Sequence, residues 1–123
     1  MRLVLLLASM LFSFSIMANC NVFIPEKEFN ASGYPIIFDF TKLLESKNYL
    51  EVYSPEQADL WLTIEGVEFE GPRFHRAQAI MKLGDFKVDE SVLCLTQFCG
   101  VSDYGKAFRK AYKKLSALIP QCQ

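Results

Sequence analysis

The chain has one histidine and one tryptophan, and the first scarcity removes most catalytic and metal-binding arrangements at the outset. There is no CxxC pair, and His75 has no second histidine with which to share a metal, so zinc-type ligand spacing is missing. No serine lies in a nucleophile-elbow sequence, no glycine-rich loop is placed to cradle phosphate, and no carboxylate cluster has metal-ligand spacing. These gaps point away from an enzyme and lead us to expect no cofactor and no metal. An excess of one charge is lacking too, since 13 lysines and arginines face 14 aspartates and glutamates. A slightly acidic chain is a poor candidate for nucleic acid. No internal repeat or low-complexity tract marks a second domain.

The one long apolar run stands at the start. Met1-Arg2 carries a single charge, Leu3 to Met17 is apolar apart from three serines, and Ile16-Met17-Ala18 offers a small residue to signal peptidase. The expectation is a signal peptide over residues 1–18, cleaved after Ala18, and a mature domain over 19–123 that is periplasmic or secreted. The run is short for a bilayer and has no basic flank behind it, so no transmembrane segment is expected in the mature chain. Cys20 invites a lipoprotein reading, because lipoproteins keep a cysteine as the first mature residue. Asn19 precedes it, however, and Met17 stands where leucine is usual, so lipidation at Cys20 is the lesser alternative.

Cys20, Cys94, Cys99 and Cys122 all follow the leader. An even count in a small exported chain implies two disulfides with three possible pairings. Pairing Cys20 with Cys122 would tie the mature ends together. Cys94 and Cys99 would then close the turn Leu95-Thr96-Gln97-Phe98. In a straight strand these two would stand ~17 Å apart, so that pairing requires the strand to end there.

The centre of the chain is Leu60 to Leu83, LWLTIEGVEFEGPRFHRAQAIMKL, which reads as a long β-hairpin broken at Gly71-Pro72. A turn at that pair sets Glu70 across from Arg73. Leu60, Leu62 and Ile64 then face Leu83, Met81 and Ala79, with Gly66 opposite Ala77, on an apolar face. Trp61, Thr63, Glu65 and Val67 face Lys82, Ile80, Gln78 and Arg76 on a half-wet face, and a slip of one residue would mix the two sets. Val22 to Ile24, stopped by Pro25, reads as an edge or first strand, and Glu26 to Gly33 as polar and turn-like. Pro35 to Lys47 has proline suited to a first helical turn, with Ile36, Ile37, Phe40, Leu43 and Leu44 at helical spacing. Asn48 marks its stop, and Tyr49 to Tyr53 alternates as a strand. Gly84-Asp85 is a turn signal. Ser91 to Thr96, with Val92, Leu93 and Leu95 apolar on both sides, reads as a buried last strand. Ser102 reads as an N-cap before a helix whose apolar stripe is Tyr104, Ala107, Phe108, Ala111, Leu115 and Leu118, closed by Pro120. The order β-α-β-β-β-β-α predicts an α+β two-layer sandwich, a mostly antiparallel sheet with two amphipathic helices on one face.

The segment Asn48 to Ile64, NYLEVYSPEQADLWLTI, runs strand, "SPEQAD" turn and a second strand beginning Ala-Asp-Leu. It resembles small bacterial envelope domains such as the TolB N-terminal domain and the peptidoglycan-synthase activator lipoproteins. The resemblance implies an accessory domain that binds another envelope protein and catalyses nothing. It assigns no functional residues.

His75 is placed by this register across from Glu68, near Glu70 and Arg73. A carboxylate beside an imidazole can orient a general base, but at a hairpin tip nothing excludes water, and a polar cross-strand pair is the plainer reading. Two surfaces remain for binding. With both helices on the Leu62 side, the open face presents Trp61, Thr63, Val67, Phe69, Phe74, Arg76 and Ile80, a patch of aromatic and β-branched residues with a polar rim that fits an envelope protein partner. An inhibitor or immunity-type protein would share these features. The other surface is the basic side of the last helix, Lys106, Arg109, Lys110, Lys113 and Lys114, which would suit anionic envelope material. Ten acids and three bases lie in 19–72, against nine bases and four acids in 73–123, so mutual neutralisation of the two halves is the ordinary expectation. A free sheet edge could also pair two copies.

Overall fold

The computed structural model describes residues 20–70, 74–95 and 98–123, and the expected leader and cleavage site therefore lie outside the described residues. The fold is α+β. Strand β1 is Asn21–Phe23, β2 Glu28–Ala31, β3 Tyr34–Ile37, β4 Leu50–Val52, β5 Leu60–Glu70, β6 His75–Leu83 and β7 Phe86–Leu93. Helix α1 spans Thr41–Ser46 and α2 spans Val101–Leu118, with a single 3₁₀ turn at Pro55–Gln57. Five strands form one sheet in the order β4-β1-β5-β6-β7, and β2 pairs with β3 as a separate hairpin.

The β5–β6 hairpin forms, but two residues out of the expected register. Leu62 faces Leu83, Ile64 faces Met81, Gly66 faces Ala79 and Glu70 faces His75. β5 ends at Glu70 and β6 begins at His75; the expected Gly71-Pro72 turn itself lies outside the described residues. A strand repeats every two residues, so this even shift leaves every side chain on its expected face. Hydrophobic alternation excludes a slip of one and is blind to a slip of two. Gly84-Asp85 does turn the chain, with Gly84 at φ 58° and Leu83 facing Phe86. β7 begins at Phe86, five residues earlier than the strand expected from Ser91, and runs unbroken to Leu93.

The expected first helix is largely replaced by a hairpin. Ser32 and Gly33 have φ of 54° and 90°, the two positive values that a tight two-residue hairpin turn needs, and the Gly33 N–H donates to Asn30 Oδ1 at 2.7 Å. Ala31 then faces Tyr34 and Asn30 faces Pro35. Pro35 sits in an edge strand, where it is tolerated. Ile36 is half-buried while Ile37 is 76% exposed, a strand's alternation. Only Phe40, Leu43 and Leu44 keep helical spacing, and all three are buried beside the short α1. Asn48, at φ 63°, ends that helix. Its N–H bonds the Glu45 carbonyl and the Tyr49 N–H bonds the Leu44 carbonyl, the paired closure of a left-handed C-terminal stop.

β1 is an interior strand, parallel to both neighbours, with Val22 beside Glu51 and Leu60. It is the first strand, as expected, but not an edge: Pro25 lies beyond the strand and costs the ladder nothing. Val22 is fully buried. The 3₁₀ turn is fastened to this strand by the Asn21 N–H donating to Asp59 Oδ2 at 3.1 Å and the Asp59 N–H donating to the Asn21 carbonyl at 2.9 Å.

α2 lies across β6 and β7 on the apolar face. Tyr104, Ala107, Phe108, Ala111 and Leu115 are buried as expected, but Leu118 is exposed and Ile119 takes the last core position. The helix starts earlier than Ser102 would have it. Gly100 is the N-cap, and its N–H donates to Asp103 Oδ2 at 2.9 Å. The β2–β3 hairpin fills the same side of the sheet. Phe29 packs its ring against Tyr104 and Phe108, with centroids 4.9 and 5.1 Å apart, directly over Gly66. Both disulfides form as Cys20–Cys122 and Cys94–Cys99, with Cα atoms 5.9 and 5.2 Å apart, and β7 ends one residue before Cys94.

Candidate functional site

The face of the sheet turned away from α2 can be laid out row by row from the strand registers. Phe23, from β1, stands beside Trp61, the next row is Thr63–Lys82–Lys87, and then Glu65–Ile80–Asp89. Val67–Gln78–Ser91 follows, and the row nearest the β5–β6 tip is Phe69–Arg76–Leu93. Trp61, Thr63, Val67, Phe69, Arg76 and Ile80 thus share one face, and Phe74 stands in the tip connection, exposed.

They do not form one patch. Trp61 and Phe69 are eight residues apart on a strand, ~26 Å. Trp61 remains 48% exposed and meets the Phe23 ring edge-on at 5.2 Å. That contact comes from β1. Between the two ends, Thr63, Lys82, Lys87, Glu65 and Asp89 form a largely polar middle.

The apolar weight lies at the tip. Phe69, Phe74 and Leu93 are exposed there, joined by Leu95 at 88% and Phe98 at 72%. Leu93, Leu95 and Phe98 are not among the expected binding residues, because an apolar 91–96 segment reads as a buried strand. β7 is an edge strand. Half-buried Val92 faces Ala77 on the core side, Leu93 lies on the open side, and Leu95 falls past the strand's end. The signal for Leu93 was its alternation with Val92; for Leu95 and Phe98 it was the cysteine pair that bends the chain out of the sheet.

The tip is organised by polar contacts beneath it. The Cys99 N–H donates to Glu68 Oε1 at 2.5 Å, and the Cys94 N–H donates to the His75 carbonyl at 2.9 Å. These bonds tie both ends of the disulfide-closed turn to the hairpin. His75 faces Glu70 rather than Glu68, the consequence of the two-residue register shift. Its ring lies 6.4 Å from that of Phe98, and its Nδ1 is buried without a hydrogen-bond partner. Glu68 is committed to the Cys99 amide, so the expected imidazole–carboxylate pair is not formed. Among the described residues no group of three histidine, cysteine or acidic side chains could hold a metal.

Lys106, Arg109, Lys110, Lys113 and Lys114 are all exposed along α2. Only Lys114 makes an ion pair among the described residues, to Glu90 at 3.7 Å, and its Nζ also reaches the Asp89 carbonyl at 3.5 Å on the free edge of β7. The other ion pair joins Lys27 to Glu51 at 2.5 Å, and the Glu51 hydrogen bond holds the Lys27 ammonium above its ordinary range. Both pairs fall within one half of the chain. Among the described residues the expected neutralisation between halves is therefore not made by direct pairing.

No family model, curated protein or solved structure matches this chain. Two disulfides fit an oxidising compartment outside the cytosol, and among the described residues no helix is long and apolar enough to cross a membrane.

Proposed function

We propose that this is a non-catalytic accessory domain of the bacterial envelope, exported by its leader and cut after Ala18, that binds a protein partner through the tip end of its open sheet face. The observation that carries this reading is the row Phe69–Arg76–Leu93 on the open face, with both apolar side chains exposed, next to exposed Phe74 in the tip connection and exposed Leu95 just past the end of β7. Exposed apolar area gathered in one place marks interaction surfaces, and aromatic side chains with arginine are the usual anchors. The likeness of 48–64 to envelope accessory domains agrees with this role, and an inhibitor or immunity-type protein would use such a surface in the same way.

The test is a photo-crosslinking residue at Leu95, at Trp61 and at Lys110 in the native envelope. A discrete protein adduct from Leu95 is expected, with less or none from Trp61. Adducts from Lys110 alone, into lipid or polysaccharide, would overturn the reading.

That last outcome belongs to a second reading, favoured by one observation: Lys106, Arg109, Lys110 and Lys113 are exposed on one helix without an ion pair among the described residues. Such a stripe would meet anionic headgroups or polysaccharide phosphates. Binding by it would fade as salt rises, whereas an apolar tip contact would persist.

A further inference from the structure

Among the described residues Arg76 is the one cation at the tip end of the open face, and its surroundings in the sheet are unusual. In register it lies between Phe69 and Leu93. The adjoining row, Val67, Gln78 and Ser91, is uncharged. The nearest acids on this face, Glu65 and Asp89, stand in the row of Ile80, four residues along the strand, ~13 Å away. Glu68 and Glu70 belong to the opposite face by alternation, and Glu68 is bonded to the Cys99 amide. Arg76 is half-buried and has no hydrogen bond or ion pair among the described residues. A guanidinium partly withdrawn from water and flanked by apolar side chains is a charge still to be met by a partner.

Resting on the tip-binding reading above, we infer that the partner segment presents a carboxylate between bulky apolar side chains, and that Arg76 receives that carboxylate. Its planar fork can hold both carboxylate oxygens, which a lysine cannot do. The flanking apolar groups of the segment lie against Phe69 and Leu93, with Leu95 beyond them. This arrangement sets a desolvated ion pair inside an apolar surround, where it fixes orientation and partner choice. A membrane surface is the less fitting occupant. Glu68 and Glu70 are exposed at the same end of the molecule, and both would repel anionic headgroups.

The test pans a displayed library of random dodecapeptides against the mature, disulfide-bonded chain. Enriched peptides are expected to carry aspartate or glutamate next to large apolar residues. Replacing that acid by its amide should weaken binding about tenfold or more, and Arg76→Gln should weaken it equally. The two changes together should cost little more than either alone, since they remove the same pair. Arg76→Lys should recover only part of the affinity, and an unchanged thermal midpoint in each variant shows that the fold is intact. If enriched peptides lack acids, or bind Arg76→Gln as well as the parent while losing affinity for Leu95→Ser, the carboxylate inference fails and the tip reading stands. If no peptide is enriched, or binding ignores both positions, both fail. Co-sedimentation with phosphatidylglycerol vesicles that is lost in Leu95→Asp would also overturn the inference and assign the tip to lipid.

Discussion

At Gly66 there is no room for a single added methyl group. A Cβ there would stand 2.4 Å from the Phe29 ring, which is held between Tyr104, Phe108 and the sheet. Gly66→Ala should therefore lower stability by about 1–3 kcal/mol, the usual cost of overpacking, as a reduced urea midpoint with an unchanged slope. Tyr49 gives a pH-dependent counterpart. Its hydroxyl donates to the Pro120 carbonyl at 2.8 Å, and burial pushes the phenol above its ordinary value of 10.0. Tyr104 is pushed the same way by burial, then by Glu68 and Asp103. The fold prefers both neutral phenols, so their contribution is whole below the ordinary value and is lost as pH rises through the raised one. The thermal midpoint should hold steady across neutral pH and fall above about pH 10. Tyr49→Phe should make that alkaline fall shallower while costing about 0.5–1.5 kcal/mol at neutral pH for the lost bond. Residue by residue, the buried faces of β5, β6 and α2 were readable from periodicity. Gly66 is visible in the sequence only as a glycine in a strand, because the Phe29 ring above it comes from a hairpin whose sequence, Glu26 to Gly33 in its first half, is polar and turn-like.

The elements show where local pattern is enough and where it is not. α2 was legible because its stripe, Tyr104 to Leu115, is long enough to fix both period and face. Its start was misplaced because the capping interaction runs backwards: Asp103 reaches the Gly100 amide. Asp103→Ala removes that bond and a negative charge near the positive end of the helix. It should destabilise the protein by about 0.5–1.5 kcal/mol, seen as a lower thermal midpoint and faster hydrogen exchange in the first turn. The β2–β3 hairpin was the element missed. Ile36, Ile37, Phe40, Leu43 and Leu44 satisfy a helical template almost as well as a strand followed by a short helix, and short apolar runs cannot separate the two by periodicity. Ser32-Gly33 held the deciding information, as a turn pair able to take two positive φ values. Weighting that turn above the helical spacing would have found the hairpin.

At the scale of the whole molecule, the two disulfides do different jobs. Cys20–Cys122 joins residues 102 apart, and Cys94–Cys99 joins residues 5 apart. Loop-closure entropy puts the first at roughly 4–5 kcal/mol and the second at roughly 2 kcal/mol, with measured values usually smaller. The Cys20→Ser/Cys122→Ser double variant should accordingly show the larger fall in denaturation midpoint. The Cys94→Ser/Cys99→Ser pair should retain most of the stability while losing protection of the Cys99 amide. If the tip binds a partner, this second variant should be the one that loses binding. The charge distribution also belongs to this scale. The halves of the chain carry opposite excess charge, yet the ion pairs among the described residues form within each half, so chain-level charge arithmetic does not forecast contact.

The sequence alone determined the α+β class, the existence and facing of the long hairpin, the amphipathic last helix and the cysteine count, because each depends on local period or composition. Tertiary structure decided the rest. It set the hairpin register, since alternation cannot tell a shift of two from none. It placed β1 inside the sheet, since three residues carry too little pattern to show what flanks them. It also gathered Phe69, Phe74, Leu93, Leu95 and Phe98 around one end of the sheet, because the hairpin tip and the Cys94–Cys99 turn are distant in sequence and meet only when β6 and β7 pair.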